Sequence, residues 1–330
     1  MNCCLMKKFL IRVAGVAVVL FGIATAPAHA QDFPTRPIRI LVPYAPGGIA
    51  DIAARIVGAK LTDAWGQQVI VENRTGANGF IAINETAKSA PDGYTLVMVT
   101  TGDVAINPAL FKDMPYDIDR DIAPIAAVSD APMVLATSGA SPYHSVADVI
   151  AAAKAAPGTL DVGTPAYGSI NQLVLESIAL NTGTKFVHVP YKGGAPAAQA
   201  LVAGDIPLAV LASSSVSPFT PGGQIRVLAV TTAKRSPLNP EWPTLHEAGA
   251  GDIGASNWTA LLAPKATPQP IIDQLAAKVV EILNMPDVKE RFAAGGVSTV
   301  PSGPAELKAK IERELAINRV IIEKANVHVD

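Results

Sequence analysis

Short apolar runs alternate along this chain with longer segments whose apolar residues recur every three or four positions. Ile38-Arg39-Ile40-Leu41-Val42 is a β-like run closed by Pro43. From Asp51 to Trp65, apolar side chains stand at Ile52, Ile56, Val57, Leu61 and Trp65, which is close to helical spacing. Gly66 ends that helix. Gln68 to Val71 predicts a second strand, Asn73 to Gly79 a turn-rich loop, and Phe80 to Ser89 a helix stopped by Pro91-Asp92-Gly93. Tyr94 to Val99 predicts a third strand. This is the βαβ rhythm of a mostly parallel sheet covered by helices.

The rhythm restarts downstream. Met133 to Ala136 reads as a strand and Ser145 to Ala155 as a helix. Ser145 is the candidate N-cap, with Asp148 three residues later. Pro157-Gly158 ends it, Leu160 to Gly163 is a strand, and Ser169 to Leu180 is an amphipathic helix. Phe186 to Val189, Leu208 to Leu211 and Val227 to Val230 are further strands. The C-terminal part reads as helical, over Pro270 to Leu283, Pro286 to Ala294 and Ala305 to Ala325. Two α/β units with a helical tail predict two lobes and a cleft, and ligands of such sheets bind beyond the carboxyl ends of strands.

The first thirty residues follow another pattern. Lys7, Lys8 and Arg12 precede an apolar run from Val13 to Ala24, and Ala28-His29-Ala30 fits the small-x-small rule for signal cleavage. The run is about a dozen residues, against about twenty for a membrane span, so a cleaved export signal is favoured over a retained anchor. Removal after Ala30 changes the chemistry. Three basic and no acidic residues lie in the signal, so the 26 basic residues fall to 23 against 28 acidic, and the net charge moves from −2 to −5. A nucleic-acid partner needs a basic surface and is not expected. Cys3 and Cys4 also leave with the signal, so no disulfide, thiol nucleophile or cysteine-bound metal is expected. The remaining length favours two domains.

Two strand-to-helix loops carry the sharpest candidate chemistry. In Val42-Pro43-Tyr44-Ala45-Pro46-Gly47-Gly48-Ile49-Ala50-Asp51 a strand ends and a helix begins, so unpaired N–H groups favour an anion. Asp51 caps the helix or holds the loop; an ordinary turn is the alternative. The loop matches no nucleotide-binding fingerprint. Gly163-Thr164-Pro165-Ala166-Tyr167-Gly168-Ser169 is a second loop of this type, where Ser169 caps a helix or donates to a carboxylate. Thr100-Thr101-Gly102-Asp103 follows the third strand and adds hydroxyl donors. Ser213-Ser214-Ser215 is a polar loop after an apolar strand. His144, His188, His246 and His328 lack metal-ligand spacing, no nucleophile elbow is present, and His188 between Val187 and Val189 reads as structural. Trp258 is a ligand, core or hinge candidate.

At these motifs the sequence resembles the Bug family, the extracytoplasmic solute receptors of tripartite tricarboxylate transporters. The marks run in order from Pro37-Ile38-Arg39-Ile40-Leu41-Val42-Pro43-Tyr44-Ala45-Pro46-Gly47-Gly48 through Val71-Glu72-Asn73-Arg74, Pro91-Asp92-Gly93-Tyr94 and Pro115-Tyr116-Asp117. They continue through His188-Val189-Pro190-Tyr191-Lys192-Gly193 and Leu228-Ala229-Val230-Thr231 to Leu262-Ala263-Pro264. The resemblance implies a two-lobed, type II-like Venus-flytrap α/β fold with a central cleft. It implies a discontinuous domain I, residues 31–131 plus 254–330, around domain II, residues 132–253. It implies a periplasmic protein that is not an enzyme, needs no cofactor or metal, captures a small carboxylate and delivers it to membrane permease subunits. A sensor kinase is the alternative partner, and a periplasmic hydrolase the remaining alternative. The candidate ligand-binding set is Tyr44, Ala45, Pro46, Gly47, Gly48, Asp51, Thr100, Thr101, Thr164, Ala166, Tyr167, Gly168, Ser169, Tyr191 and Ser213. Gln172 stands where the family often has histidine, and Ala200 and Pro207 where aspartate is common.

Overall fold

Ile38, Ile40, Leu41 and Val42 are all fully buried, as expected for a strand covered on both faces. The computed structural model describes residues 33–328. The export signal, its cleavage site, Cys3, Cys4 and Gln31 lie outside the described residues. Residues 36–328 fall within one compact unit.

The first half of that unit follows the predicted rhythm closely. Strand β1 (Ile38–Val42) leads to helix α1 (Ile49–Trp65), then β2 (Val69–Asn73), α2 (Phe80–Ala87) and β3 (Thr95–Thr100). Helix α1 buries Ala50, Ala53, Ala54, Val57 and Leu61 on one stripe and stops at Gly66, whose φ of 64° suits the left-handed cap. β1 pairs in parallel with β2 and β3.

Next comes β4 (Ile122–Ser138), far longer than the Met133 to Ala136 strand expected. Its prolines explain why it is hard to see. Pro124 sits at a register shift between Pro124 and Ala126, where a missing donor is tolerated. Pro132 sits where the strand changes partners: Ile122–Pro132 pairs with β9 (Ser256–Pro264), and Met133–Ser138 with β7 (Leu208–Ala212) and β8 (Ile225–Val230).

Two sheets therefore share β4. The first runs β2-β1-β3-β9-β4, with β10 (Ser298–Ser302) also on β4; the second runs β4-β7-β5-β6, with β8 also on β4. Here β5 is Asp161–Thr164 and β6 is Val187–Pro190. β10 interrupts the expected helical C-terminal part, β9 precedes it as a strand not expected from the sequence, and pairings at β4 and β9 are antiparallel. The sheet is thus mixed rather than mostly parallel.

Alternation along β4 builds two packed layers in the second sheet, as period-two geometry requires. Met133 and Leu135 join Val162 and the core of α3 (Val146–Ala155) and α4 (Ile170–Thr182). Val134 and Ala136 face the opposite way, against Ala197 and Leu201 of α5 (Gly194–Ala203). The Ser145 cap of α3 is present, with Asp148 completing a reciprocal capping box.

The C-terminal helices α6 (Gln269–Leu283), α7 (Pro286–Ala294) and α8 (Pro304–Ala325) follow β9. Leu307 and Ile311 of α8 pack on the first sheet's core with Trp258, while Ile322 belongs to the second sheet's core. Eleven residues at about 1.5 Å each carry the helix about 16 Å between these cores. Each buried aliphatic side chain contributes about 1.5–3 kcal/mol, so α8 ties the two lobes together. Near where the chain crosses back, Thr231 staples the strands: its N–H donates to the Met133 carbonyl at 3.0 Å and its Oγ1 donates to the Ala255 carbonyl at 2.7 Å, with the Met133 carbonyl 3.2 Å from Oγ1.

Candidate functional site

Three helices begin at one cleft. Gly48, Ser169 and Gly193, the N-caps of α1, α4 and α5, all line it. Gly48 and Gly193 supply no side chain to cap their helices, so first-turn N–H groups stay available. The cleft has a volume of about 510 Å³, within the usual range for small-molecule sites. Its first-lobe wall is Tyr44, Ile49, Ala50, Asn78, Thr100, Gly102, Asn107, Leu110, Phe111 and Asn257; the second-lobe wall runs from Pro165 to Asn171 with Gly194, Ala212 and Ser215, and Met133 of the shared strand also lines it. Among these lining residues there is no aspartate, glutamate, lysine, arginine or histidine.

Of the residues expected from sequence, Tyr44, Gly48, Thr100, Ala166, Tyr167, Gly168 and Ser169 line the cleft. Ala45, Pro46, Gly47, Asp51, Thr101, Thr164, Tyr191 and Ser213 do not, and most of these shape what does. Asp51 accepts from the Gly47 N–H at 2.9 Å and from Asn73 Nδ2 at 2.9 Å, and pairs with Arg55. Burial opposes its charge, but hydrogen bonds from Arg55, Gly47 and Asn73 outweigh it and hold its carboxyl below the ordinary range. Asn73 Nδ2 also reaches the Tyr44 carbonyl at 2.9 Å. Asp51 therefore holds the loop. Gly47 has φ of 87°, a conformation that favours glycine.

Thr101 was expected to offer a hydroxyl to the cleft, but it is buried and directed elsewhere. Its Oγ1 donates to the Ser256 carbonyl at 3.2 Å and accepts from the Trp258 N–H at 3.0 Å, fastening β3 to β9. Thr164 Oγ1 lies 2.6 Å from His188 Nε2 and 3.1 Å from the Ala166 carbonyl, bracing the second loop from behind. Burial lowers the His188 pKa, consistent with a neutral structural ring. The Tyr191 ring lies against Gly163 under that loop. Ser213 Oγ donates to the Gly296 carbonyl at 3.2 Å, and it is Ser215 from the same serine run that reaches the cleft. Alternate serines in a turn differ in direction, which composition alone does not resolve.

Ser169 Oγ accepts from the Gln172 N–H at 3.3 Å and donates to the Ala166 carbonyl at 2.8 Å, so the cap is real. Gln172 is buried and its Oε1 accepts from the Gly168 N–H at 2.8 Å, making it a loop brace. Ala200 is core, and the Pro207 carbonyl accepts from Thr137 Oγ1 at 2.7 Å. Trp258 is fully buried, with Nε1 donating to Glu314 Oε2 at 2.6 Å, so it belongs to the core. Sequence reasoning missed Asn78, Asn107, Asn257 and the Gly193-Gly194 turn as lining residues. Asn107-Pro108 reads as a plain turn, and α5 has an alanine-rich face with little contrast.

One further group stands behind the first-lobe wall. Asp103 is fully buried and receives Tyr44 Oη at 2.8 Å on Oδ1, with the Thr100 N–H at 2.7 Å and Thr100 Oγ1 at 3.0 Å on Oδ2. Burial pushes its carboxyl up to about 6, against the lowering effect of those hydrogen bonds. Burial and the neighbouring Asp103 raise the Tyr44 phenol, keeping it protonated.

Among the described residues no helix is long and apolar enough to cross a membrane, and no cluster of potential metal ligands occurs. The family model described as "Tripartite tricarboxylate transporter family receptor" matches residues 53–327. Protein BugT of Bordetella pertussis is 37% identical over 307 residues, 93% of this chain and 94% of that protein. The solved structure "R. palustris Rpa4515 with adipate" superposes with a TM-score of 0.80 at 33% identity, covering 90% of this chain and 99% of the other. MatC from Rhodopseudomonas palustris, solved with bound malate, gives 0.75 at 28% identity, covering 88% of this chain and all of its own. The chain is a two-lobed α/β solute-binding receptor and belongs to the tripartite tricarboxylate transporter receptor family.

Proposed function

We propose that this receptor captures a small carboxylate in the periplasm and hands it to the permease subunits of a tripartite transporter. The observation that carries the reading is the convergence of the α1, α4 and α5 N-termini on a cleft without charged side chains. An anion there is held by N–H groups and helix dipoles. Such neutral donors bind less tightly than arginine forks, which suits a receptor that must release its cargo. Adipate and malate in the similar structures are acids of a size such a cleft accommodates.

In this reading Gly48 and Ser169 sit at the heart of the two half-sites, with Tyr44, Thr100, Ala166, Tyr167 and Gly168 around them. Domain I is residues 31–131 plus 254–330 and domain II is residues 132–253, with Pro132 at one crossing and the Thr231–Ala255 hydrogen bond beside the other. The export signal is cleaved after Ala30. A binding protein is favoured over a hydrolase because the Ser169 hydroxyl is committed to Ala166 and His188 to Thr164, leaving no serine–histidine pair between them.

A thermal-shift screen of mono-, di- and tricarboxylates on the chain beginning at Gln31 tests the reading. Saturation at about a hundred times Kd adds about 2.7 kcal/mol, or about 4 °C in Tm for a protein of this size. No shift with any acid, on protein shown to be ligand-free, overturns it. Mass measurement of the periplasmic protein checks the cleavage: a chain starting elsewhere than Gln31 refutes that site.

A further inference from the structure

The first-lobe wall of the cleft has a proton shortage. Four oxygens meet there: Tyr44 Oη, Thr100 Oγ1 and both carboxylate oxygens of Asp103. Tyr44 Oη donates to Asp103 Oδ1 at 2.8 Å and Thr100 Oγ1 donates to Oδ2 at 3.0 Å. The two hydroxyl oxygens are themselves 3.1 Å apart. Each hydroxyl has one proton, and an ionised Asp103 brings none. Both protons therefore point back into the protein, and the cleft meets lone pairs. Tyr44, Thr100 and Gly102 all line the cleft, and a β carbon on Gly102 would stand 3.5 Å from Thr100 Oγ1 and 3.9 Å from Tyr44 Oη, so the two oxygens sit beside a cleft-lining residue.

The further donor to Asp103 among the described residues is the Thr100 N–H, at 2.7 Å on Oδ2. Among the described residues no lysine or arginine pairs with Asp103. The titratable side chains turned toward it are Tyr44 and Tyr116, phenols that burial keeps protonated. Tyr116 Oη donates to the Asp103 backbone carbonyl at 3.4 Å rather than to its side chain. Asn107 Nδ2 gives one of its two protons to the Asn78 carbonyl, at 2.9 Å. From α8, Asn318 reaches the Ala105 carbonyl, and Lys310 and Glu314 pair with each other. On the Gly79 side a β carbon would collide with Asp103 Oδ1, so that flank is closed.

We propose that Asp103 selects the ligand: by drawing in the protons of Tyr44 and Thr100, it makes this wall an acceptor surface that takes a carboxylate also bearing a hydroxyl or ammonium donor. This rests on the carboxylate-receptor reading above. The carboxylate end goes to the helix N-termini and the donor goes to the Tyr44–Thr100 oxygens. An acid without a donor brings only lone pairs, and behind the two hydroxyls stands a buried carboxylate with no cation paired to it among the described residues. Such an acid binds only when Asp103 takes up a proton. A protonated Asp103 donates to Tyr44 Oη, and the phenol proton is freed to turn into the cleft. Burial already holds the carboxyl near 6, so that uptake is within reach at neutral pH. Asp103 is thus a positioning residue that acts through two hydroxyls.

Isothermal titration calorimetry at about pH 7.5 tests this on matched acids: lactate against propionate, and malate and aspartate against succinate. The donor-bearing acid of a pair is expected to bind about tenfold more tightly or better, because its absence leaves buried acceptors unpaired. Repeating the titrations in buffers of different ionisation enthalpy counts protons. Donor-free acids should take up close to one proton on binding and donor-bearing acids none. Asp103→Asn donates its own amide to Tyr44, so it should compress the discrimination to about threefold or less and abolish the uptake. Wild-type discrimination and proton count stand as a test by themselves if that variant does not fold. Equal affinities within each pair without proton uptake overturn the inference while leaving the receptor reading intact, as does full discrimination in Asp103→Asn. Binding of no acid at all removes the receptor reading and this inference with it.

Discussion

Replacing Asp103 by asparagine in the ligand-free protein makes a stability prediction whose sign is opposite to that of most buried polar deletions. In the folded chain the Asp103 carboxyl lies near 6, against an ordinary value of 3.8, with burial as the main cause. A group raised on folding stabilises fully below its unfolded value, and that stability is lost as pH rises through its folded value. About two units at 1.36 kcal/mol each amount to a penalty of about 3 kcal/mol once both states are ionised. Asp103 is fully buried, so solvent screening does not reduce the figure. Asparagine keeps the acceptor for Thr100 and carries no charge, so the variant escapes the penalty. The stability of Asp103→Asn relative to wild type should therefore rise by about 2 kcal/mol between about pH 4.5 and about pH 7.5. Urea titrations of both proteins at those two pH values measure it, and other titrating groups cancel in the difference. A gap between the two proteins that does not change with pH refutes the reasoning.

Two other substitutions probe the architecture. Ser169→Trp should abolish ligand binding by filling the cleft, while apo stability falls by only about 1 kcal/mol for the lost cap; retained affinity in a calorimetric titration would take Ser169 out of the site. Thr231→Val keeps the shape but strands the Ala255 carbonyl at the crossing between lobes, and should cost about 1–3 kcal/mol in chemical denaturation.

Much of the fold is legible in the sequence because strands such as Ile38–Val42 are short apolar runs closed by turn residues, and α3 and α4 start at readable serine caps, Ser145 and Ser169. What is not legible is long-range. The first half of β4 hides behind Pro124 and Pro132, and only the pairing partners show why prolines are tolerated there. β9 contains Trp258 and Thr259 within a stretch of mixed polarity, and its central place depends on residues more than a hundred positions earlier. The site divides in the same way. The two strand-to-helix loops are readable from proline and glycine followed by an apolar helix. The directions of Thr101, Ser213 and Ser215 depend on which neighbour claims each hydroxyl, and spacing does not encode that. Asp103 looks like one more loop aspartate until its burial and its two hydroxyl partners are seen.

The proposed anion site is built from three helix N-termini with no charged side chain. Its most direct test is calorimetric titration of a carboxylate panel into the chain beginning at Gln31, with Ser169→Trp alongside. Saturable one-to-one binding of at least one acid by the unaltered chain, and none by the variant, is expected. No binding of any acid by folded, ligand-free protein, or equal binding by both chains, would contradict it.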